Sequence, residues 1–254
     1  MWWATHAMKH RDPYTYPQGR TKLEPVAVII LSVVMSFCSL QLIREAIMKV
    51  VGLAISDISS LPTVDEVTFA IAGSTVGVKL VLWIVCRNVK SSVVQALAQD
   101  HRNDVVSNSV AMVCGYLGSR DFKSEITGFA YVDPLGAIVI SVYIVMIWWQ
   151  TGSTQIKMLT GHTARPDFLS KLTWVAVNHH AQILQIDTVR AFHFGNNFLV
   201  EVDIVLPSDM RLQEAHDIGE TLQHRLESLD EVERAFVHLD YEFTHNPHSE
   251  HKVV

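Results

Sequence analysis

The sequence predicts an α-helical membrane protein joined to a small cytosolic α+β domain of ferredoxin-like αββαβ order. Two observations predict this. First, four stretches before about residue 157 are long enough, or nearly so, to cross a bilayer core of about 30 Å, which takes about 20 apolar residues. Second, the pattern after that point changes to amphipathic helices alternating with period-2 strands. The mean hydropathy of +0.21 averages over this division. The expected organisation is a transmembrane domain over 1–157, a cytosolic dimerisation domain over 158–243 and a His-containing tail over 244–254.

The elements follow in order. Met1-Trp2-Trp3-Ala4-Thr5 is apolar, but Lys9-His10-Arg11-Asp12 comes directly after it, so this is no signal peptide. It reads as the last turn of a helix that begins upstream. Residues 12–20 hold Pro13, Pro17 and Gly19 and form a polar turn. Residues 25–43 carry no charge and form the first membrane helix, closed by Arg44-Glu45; a loop over 52–65 holds Pro62. A second helix covers 67–86, interrupted by Lys79, which reads as a snorkelling or structural charge. A third covers 91–118, and a short charged loop follows over 120–125. A fourth covers 134–156, with Asp133 as its N-cap and Trp148-Trp149 as interface anchors, a role Trp2-Trp3 shares.

In the soluble part, residues 167–180 are helical in pattern. Residues 188–195 and 198–206 are strands joined through Gly195-Asn196-Asn197, a hairpin signal. Residues 212–226 form an amphipathic helix and 233–242 a third strand. Helices then cover one face of a small open sheet.

Basic residues set the orientation. Lys9, Arg11, Arg20 and Lys22, with Arg87 and Lys90, share one side; Arg44, Lys49, Arg120 and Lys123 lie opposite among Asp57, Asp65, Glu66, Asp121 and Glu125. The bias places the N-terminus and the soluble domain in the cytosol. The net charge of −6 and the lack of a Lys/Arg cluster argue against nucleic acid as a partner. Cys38, Cys86 and Cys114 fall in apolar segments without a CxxC and read as buried, reduced thiols.

The polar run Asp100-His101-Arg102-Asn103-Asp104 inside the third helix is the most informative feature. Charge at membrane depth is costly and is rarely kept there without a partner or a task. Asp100 and Asp104 stand at i and i+4, so both carboxylates share one face, and Asn108 extends it as a weaker candidate. Two hard oxygen donors make half of a divalent-cation site, and a second helix must supply the rest. His101 is rotated about 100° from Asp100 and is expected to miss that face unless the helix distorts, so it too is a weaker candidate. The bland alternative is that the helix begins near Val105 and both aspartates sit in solvent at its start.

Tyr16-Pro17-Gln18-Gly19-Arg20 leading to Glu24-Pro25-Val26, the run from Ala98 to Asn108, and Asp133-Pro134-Leu135-Gly136-Ala137-Ile138 together resemble the cation diffusion facilitator family. The αββαβ domain fits the same family, and the likeness runs from Met1 to about residue 243. The resemblance implies a homodimeric, multi-pass exporter with six membrane helices per chain. It exchanges a divalent cation for protons, out of the cell or into Golgi, endosome, or vacuole and lysosome. In the zinc branch the fifth-helix motif reads His-x-x-x-Asp, in the manganese branch Asp-x-x-x-Asp; Asp100 therefore implies Mn²⁺, with Zn²⁺ as the alternative. No further cofactor is implied. Aligned this way, Met1 falls at the end of the family's second helix, leaving four helices of six and half of a four-donor site. The expectation that follows is a chain that dimerises but carries little flux, which keeps open a regulatory, non-transporting subunit.

The resemblance also implies a cytosolic metal site at Asp187, Asp203, His216, His238 and Asp240. Two of these are Asp where zinc members carry His, and a polar strand face explains them equally well. His245, His248 and His251 read as a disordered tail. An intramembrane aspartyl protease is set aside: its dyad needs one carboxylate from each of two helices, and no GxGD is present.

Overall fold

The computed structural model describes residues 14–17, 19–55, 66–89, 92–117 and 131–244, which fall into two compact units. The readings of Trp2-Trp3 and the run at Lys9, of the loop over 120–125, and of His245, His248 and His251 lie outside the described residues.

The first unit is built on four helices: α1 Leu23–Ile55, α2 Glu66–Cys86, α3 Ser92–Leu117 and α4 Val132–Leu159. Three of them, α1, α2 over Phe69–Cys86, and α4, are long and apolar enough to cross a membrane. The fourth expected span, α3, has the length at 26 residues, but its polar run keeps it below that apolarity. Helix α1 does not stop at Arg44-Glu45. It runs 33 residues, about 50 Å at 1.5 Å per residue, because those two charges point to the exposed side and disturb no backbone bond. Arg44 and Lys49 therefore lie within the helix rather than beyond its end.

Helices α1 and α4 run antiparallel. Near the start of α1, Ser32 meets Gly152, where an added Cβ would lie 3.4 Å from the Ser32 Cβ. Near its end, Lys49 pairs with Asp133 at 3.8 Å. The buried stripe on α1 is Pro25, Val28, Ser32, Ser39 and Ala46, small residues of the kind that let membrane helices approach closely. Helix α3 packs on the same region through Ala96 against Val28, and Gln99 Nε2 donates to Thr151 Oγ1 at 2.9 Å. Trp148 corrects the sequence reading: it is fully buried in this unit, while Trp149 is 78% exposed. The thiols differ too, since Cys38 is exposed and Cys86 and Cys114 are only partly covered. Both departures have one cause: a uniformly apolar helix does not reveal in sequence which face meets its neighbours.

Helices α2 and α3 form a hairpin. Gln95, one turn into α3, donates through Nε2 to the carbonyls of Arg87 and Val89 at 3.0 and 2.6 Å. It thereby satisfies backbone acceptors just past the α2 C-terminus, which no helical N–H can reach.

The second unit contains α5 Pro166–Val177, β1 Gln185–Phe194, β2 Asn197–Val205, α6 Leu212–Glu227 and β3 Val232–Asp240. The αββαβ order is as read. The sheet order is β1-β2-β3, with β1 and β2 antiparallel and β2 and β3 parallel, so α6 is the crossover. The β1–β2 turn is the two residues Gly195 and Asn196, with φ of +71° at Gly195, a conformation glycine adopts without strain. The tip packs on the segment that precedes α1: an added Cβ at Gly195 would sit 3.3 Å from the Thr21 carbonyl, and Lys22 Nζ lies 3.9 Å from the Phe194 ring centroid. Leu172, Val175 and Ala176 of α5 and Ile218, Leu222 and Leu226 of α6 close over Ala191, Val200, Val202, Ile204 and Ala235. The alternate positions Arg190, Glu201, Asp203, Arg234, Phe236 and His238 lie on the sheet face turned away from these two helices.

Candidate metal site

In α3 the i, i+4 spacing does what it predicts. Asp100, His101 and Asp104 each offer one ligand atom, and these three atoms lie within 4.8 Å of one another. The helix is regular through this run and begins at Ser92, so the aspartates stand two or more turns inside it, not at its start.

His101 is where the sequence reading is corrected. One residue past Asp100 rotates it by about 100°, which predicts that it cannot share the face with Asp104 unless the helix distorts. Against Asp104 it stands at i, i+3, a neighbouring position on a helix surface, and the imidazole is long enough to close the difference. The side chain is 8% exposed. Its Nδ1 and the Oδ1 of Asp100 are buried with no hydrogen-bond partner among the described residues. Buried polar atoms of this kind are rare and need an explanation such as an ion. The chemistry of the donor set, two carboxylates and an imidazole, suits a divalent cation. Asn108 lies one turn further along and is partly exposed; the cluster of donors does not include it.

Lys79 of α2, which reads from the sequence as a snorkelling or structural charge, lies beside the same cluster. Its Nζ lies 2.6 Å from Asp104 Oδ2, with the two side chains 30% and 31% exposed.

The second predicted set separates. Asp203 accepts a hydrogen bond from Thr188 Oγ1, and His238 Nε2 lies 3.1 Å from Asp240 Oδ1 on the same strand. Asp203 is in register with His238, which brings these residues to the sheet face turned away from α5 and α6. Asp187 sits at the bulge between Ile186 and Thr188. His216 is elsewhere: it lies on α6, exposed, beside Asp217 and Glu220. Among the described residues no group of three donors includes Asp187, Asp203, His238 or Asp240. The reason is topological, because α6 packs on the opposite side of the sheet from their face. His193, half-buried at the end of β1 with its ring 4.3 Å from that of Phe198, is held below the usual histidine range by burial.

Apolar helices of membrane length followed by an αββαβ domain describe an integral membrane protein, and the chain belongs to the cation efflux family. The cation efflux transmembrane domain matches residues 1–160, and the cation efflux protein cytoplasmic domain matches residues 169–242. Metal tolerance protein 10 of Arabidopsis thaliana is 44% identical over 252 residues, which are 99% of this chain and 56% of the relative. Metal tolerance protein 7 of Oryza sativa subsp. japonica is 43% identical over 254 residues, 100% of this chain and 62% of the relative. Metal tolerance protein 11 of Arabidopsis thaliana is 40% identical over 248 residues, 97% and 61%. The chain thus spans roughly three-fifths of the length of these curated relatives.

Proposed function

We propose that this chain is the metal-handling part of a divalent-cation efflux carrier that exchanges the metal for protons. The observation that carries the reading is the convergence of Asp100, His101 and Asp104 donors within 4.8 Å on a helix flanked by membrane-length neighbours. In this reading residues 1–157 hold the pathway, 158–243 form a cytosolic domain that pairs two copies, and 244–254 are a tail. The family's cytoplasmic domain over 169–242 supports that division. Three donors leave most of the six oxygens that Mn²⁺ prefers to be supplied from elsewhere, so a second helix or water completes the shell.

The substrate we propose is Mn²⁺. Two carboxylates present hard oxygen, which a manganese site prefers, and the relatives are named for metal tolerance without a metal being specified. A second reading, Zn²⁺, gains from one specific observation: His101 adds a borderline-soft nitrogen to the cluster. A regulatory subunit that only dimerises is the third.

The test is flux in vesicles bearing the longest natural product that contains these residues. Mn²⁺ should move in preference to Zn²⁺, and Asp100→His should shift the preference toward zinc by adding a second imidazole. An Asp100→His variant with unchanged selectivity would overturn the manganese reading, and no flux of either metal would favour the dimerising subunit.

A further inference from the structure

We propose that Lys79 is a tethered cation that holds Asp104 in the empty site and is displaced when the divalent ion binds, so that it sets the affinity of the site. The inference rests on the reading of Asp100, His101 and Asp104 as ligands.

Four observations point to it. Lys79 Nζ and Asp104 Oδ2 are 2.6 Å apart, the distance of a charge-assisted hydrogen bond, so the Asp104 carboxylate already has a cationic partner. The other two donors are in the opposite state: Asp100 Oδ1 and His101 Nδ1 are buried and make no hydrogen bond among the described residues. Lys79 comes from α2, the helix that packs on α3, so its backbone is fixed independently of the ligands. Its ammonium sits on a flexible four-carbon stem, which lets the charge leave while the chain stays in place.

The physical need is charge balance. Two carboxylates without a counter-ion are costly at membrane depth, and a half-exposed pair lowers that cost without locking the site. A divalent ion that recruits Asp100, His101 and Asp104 draws on the carboxylate that Lys79 holds, so the ammonium and the metal compete for the charge of Asp104. A lysine kept for helix packing alone makes a different prediction, since its removal would leave metal affinity unchanged or lower it.

The experiment measures Mn²⁺ binding to the purified chain in detergent micelles, by loss of the free-ion electron paramagnetic resonance signal. Lys79→Met and Lys79→Gln should each tighten binding by about fivefold, the equilibrium equivalent of a partly exposed ion pair. Lys79→Arg should bind as the parent chain does. In an Asp104→Asn background the Lys79→Met change should have no effect, because the contested negative charge is gone. Unchanged or weaker binding in both neutral variants, with Asp104→Asn still weakening it, overturns the role of Lys79 and leaves the site intact. Binding that is undetectable, or unaffected by Asp100→Asn and Asp104→Asn, overturns the site itself and this inference with it.

Discussion

Replacing Gly195 by alanine should loosen the β1–β2 hairpin and its contact with the segment ahead of α1. Two effects add. The backbone at this position has φ of +71°, which costs an L-residue about 1–2 kcal/mol. The new Cβ would also lie 3.3 Å from the carbonyl carbon and oxygen of Thr21 and 3.4 Å from Lys22 N. All three are backbone atoms, so no side chain can swing aside to make room. Against this, alanine restricts the unfolded chain and returns about 0.4–1 kcal/mol. The net loss is about 1–2 kcal/mol, equivalent to amide exchange roughly 5- to 30-fold faster in peptides from β1, β2 and the segment 14–22. Hydrogen exchange read by mass spectrometry on the purified chain measures it. Gly195→Asn separates the two effects: asparagine tolerates positive φ better but brings the same Cβ, so it should fall between parent and alanine. Gly73→Ala is the control, because nothing lies within 4 Å of its Cβ position. Hairpin protection in Gly195→Ala equal to that in Gly73→Ala would refute the reasoning.

Two further outcomes follow from the soluble domain. Leu222→Ala removes a fully buried side chain from between α6 and the sheet and should cost about 2–5 kcal/mol, read as lost protection of the β2 amides. His193→Phe should flatten the acid limb of the domain's thermal stability. His193 is held below its unfolded value by burial, so its contribution is complete above the unfolded value of about 6.5 and is lost as pH falls through the folded one. The parent chain should lose melting temperature on acidification below about pH 6.5, and the variant less; equal slopes would place the sensitivity elsewhere, His179 being the next candidate.

The soluble fold was legible because its signals are local. Alternation in residues 198–206, the glycine at 195 and the apolar spacing of Ile218, Leu222 and Leu226 each fix an element without help from distant chain. The membrane part was legible only as segments. Its helices are apolar on all sides, so the burial of Trp148, the exposure of Cys38 and the run of α1 past Arg44 depend on neighbours that hydropathy does not encode. The candidate site falls between these cases. The face shared by Asp100 and Asp104 is a property of one helix and was readable. The inclusion of His101 was readable as well, had its spacing been counted from Asp104. Lys79 was not, because the contact joins residues 25 positions apart on different helices.

The Gln95 link between the ends of α2 and α3 bears on how the chain enters a bilayer. Helix α3 is too polar to partition well alone, while α2 over Phe69–Cys86 carries a single charge. A connection of five residues, with Gln95 bonded to the carbonyls of Arg87 and Val89, favours their insertion as one folded hairpin. The Lys79–Asp104 pair joins the same two helices, so each charge offsets the other at membrane depth. A substitution that removes one partner leaves an uncompensated charge inside this hairpin.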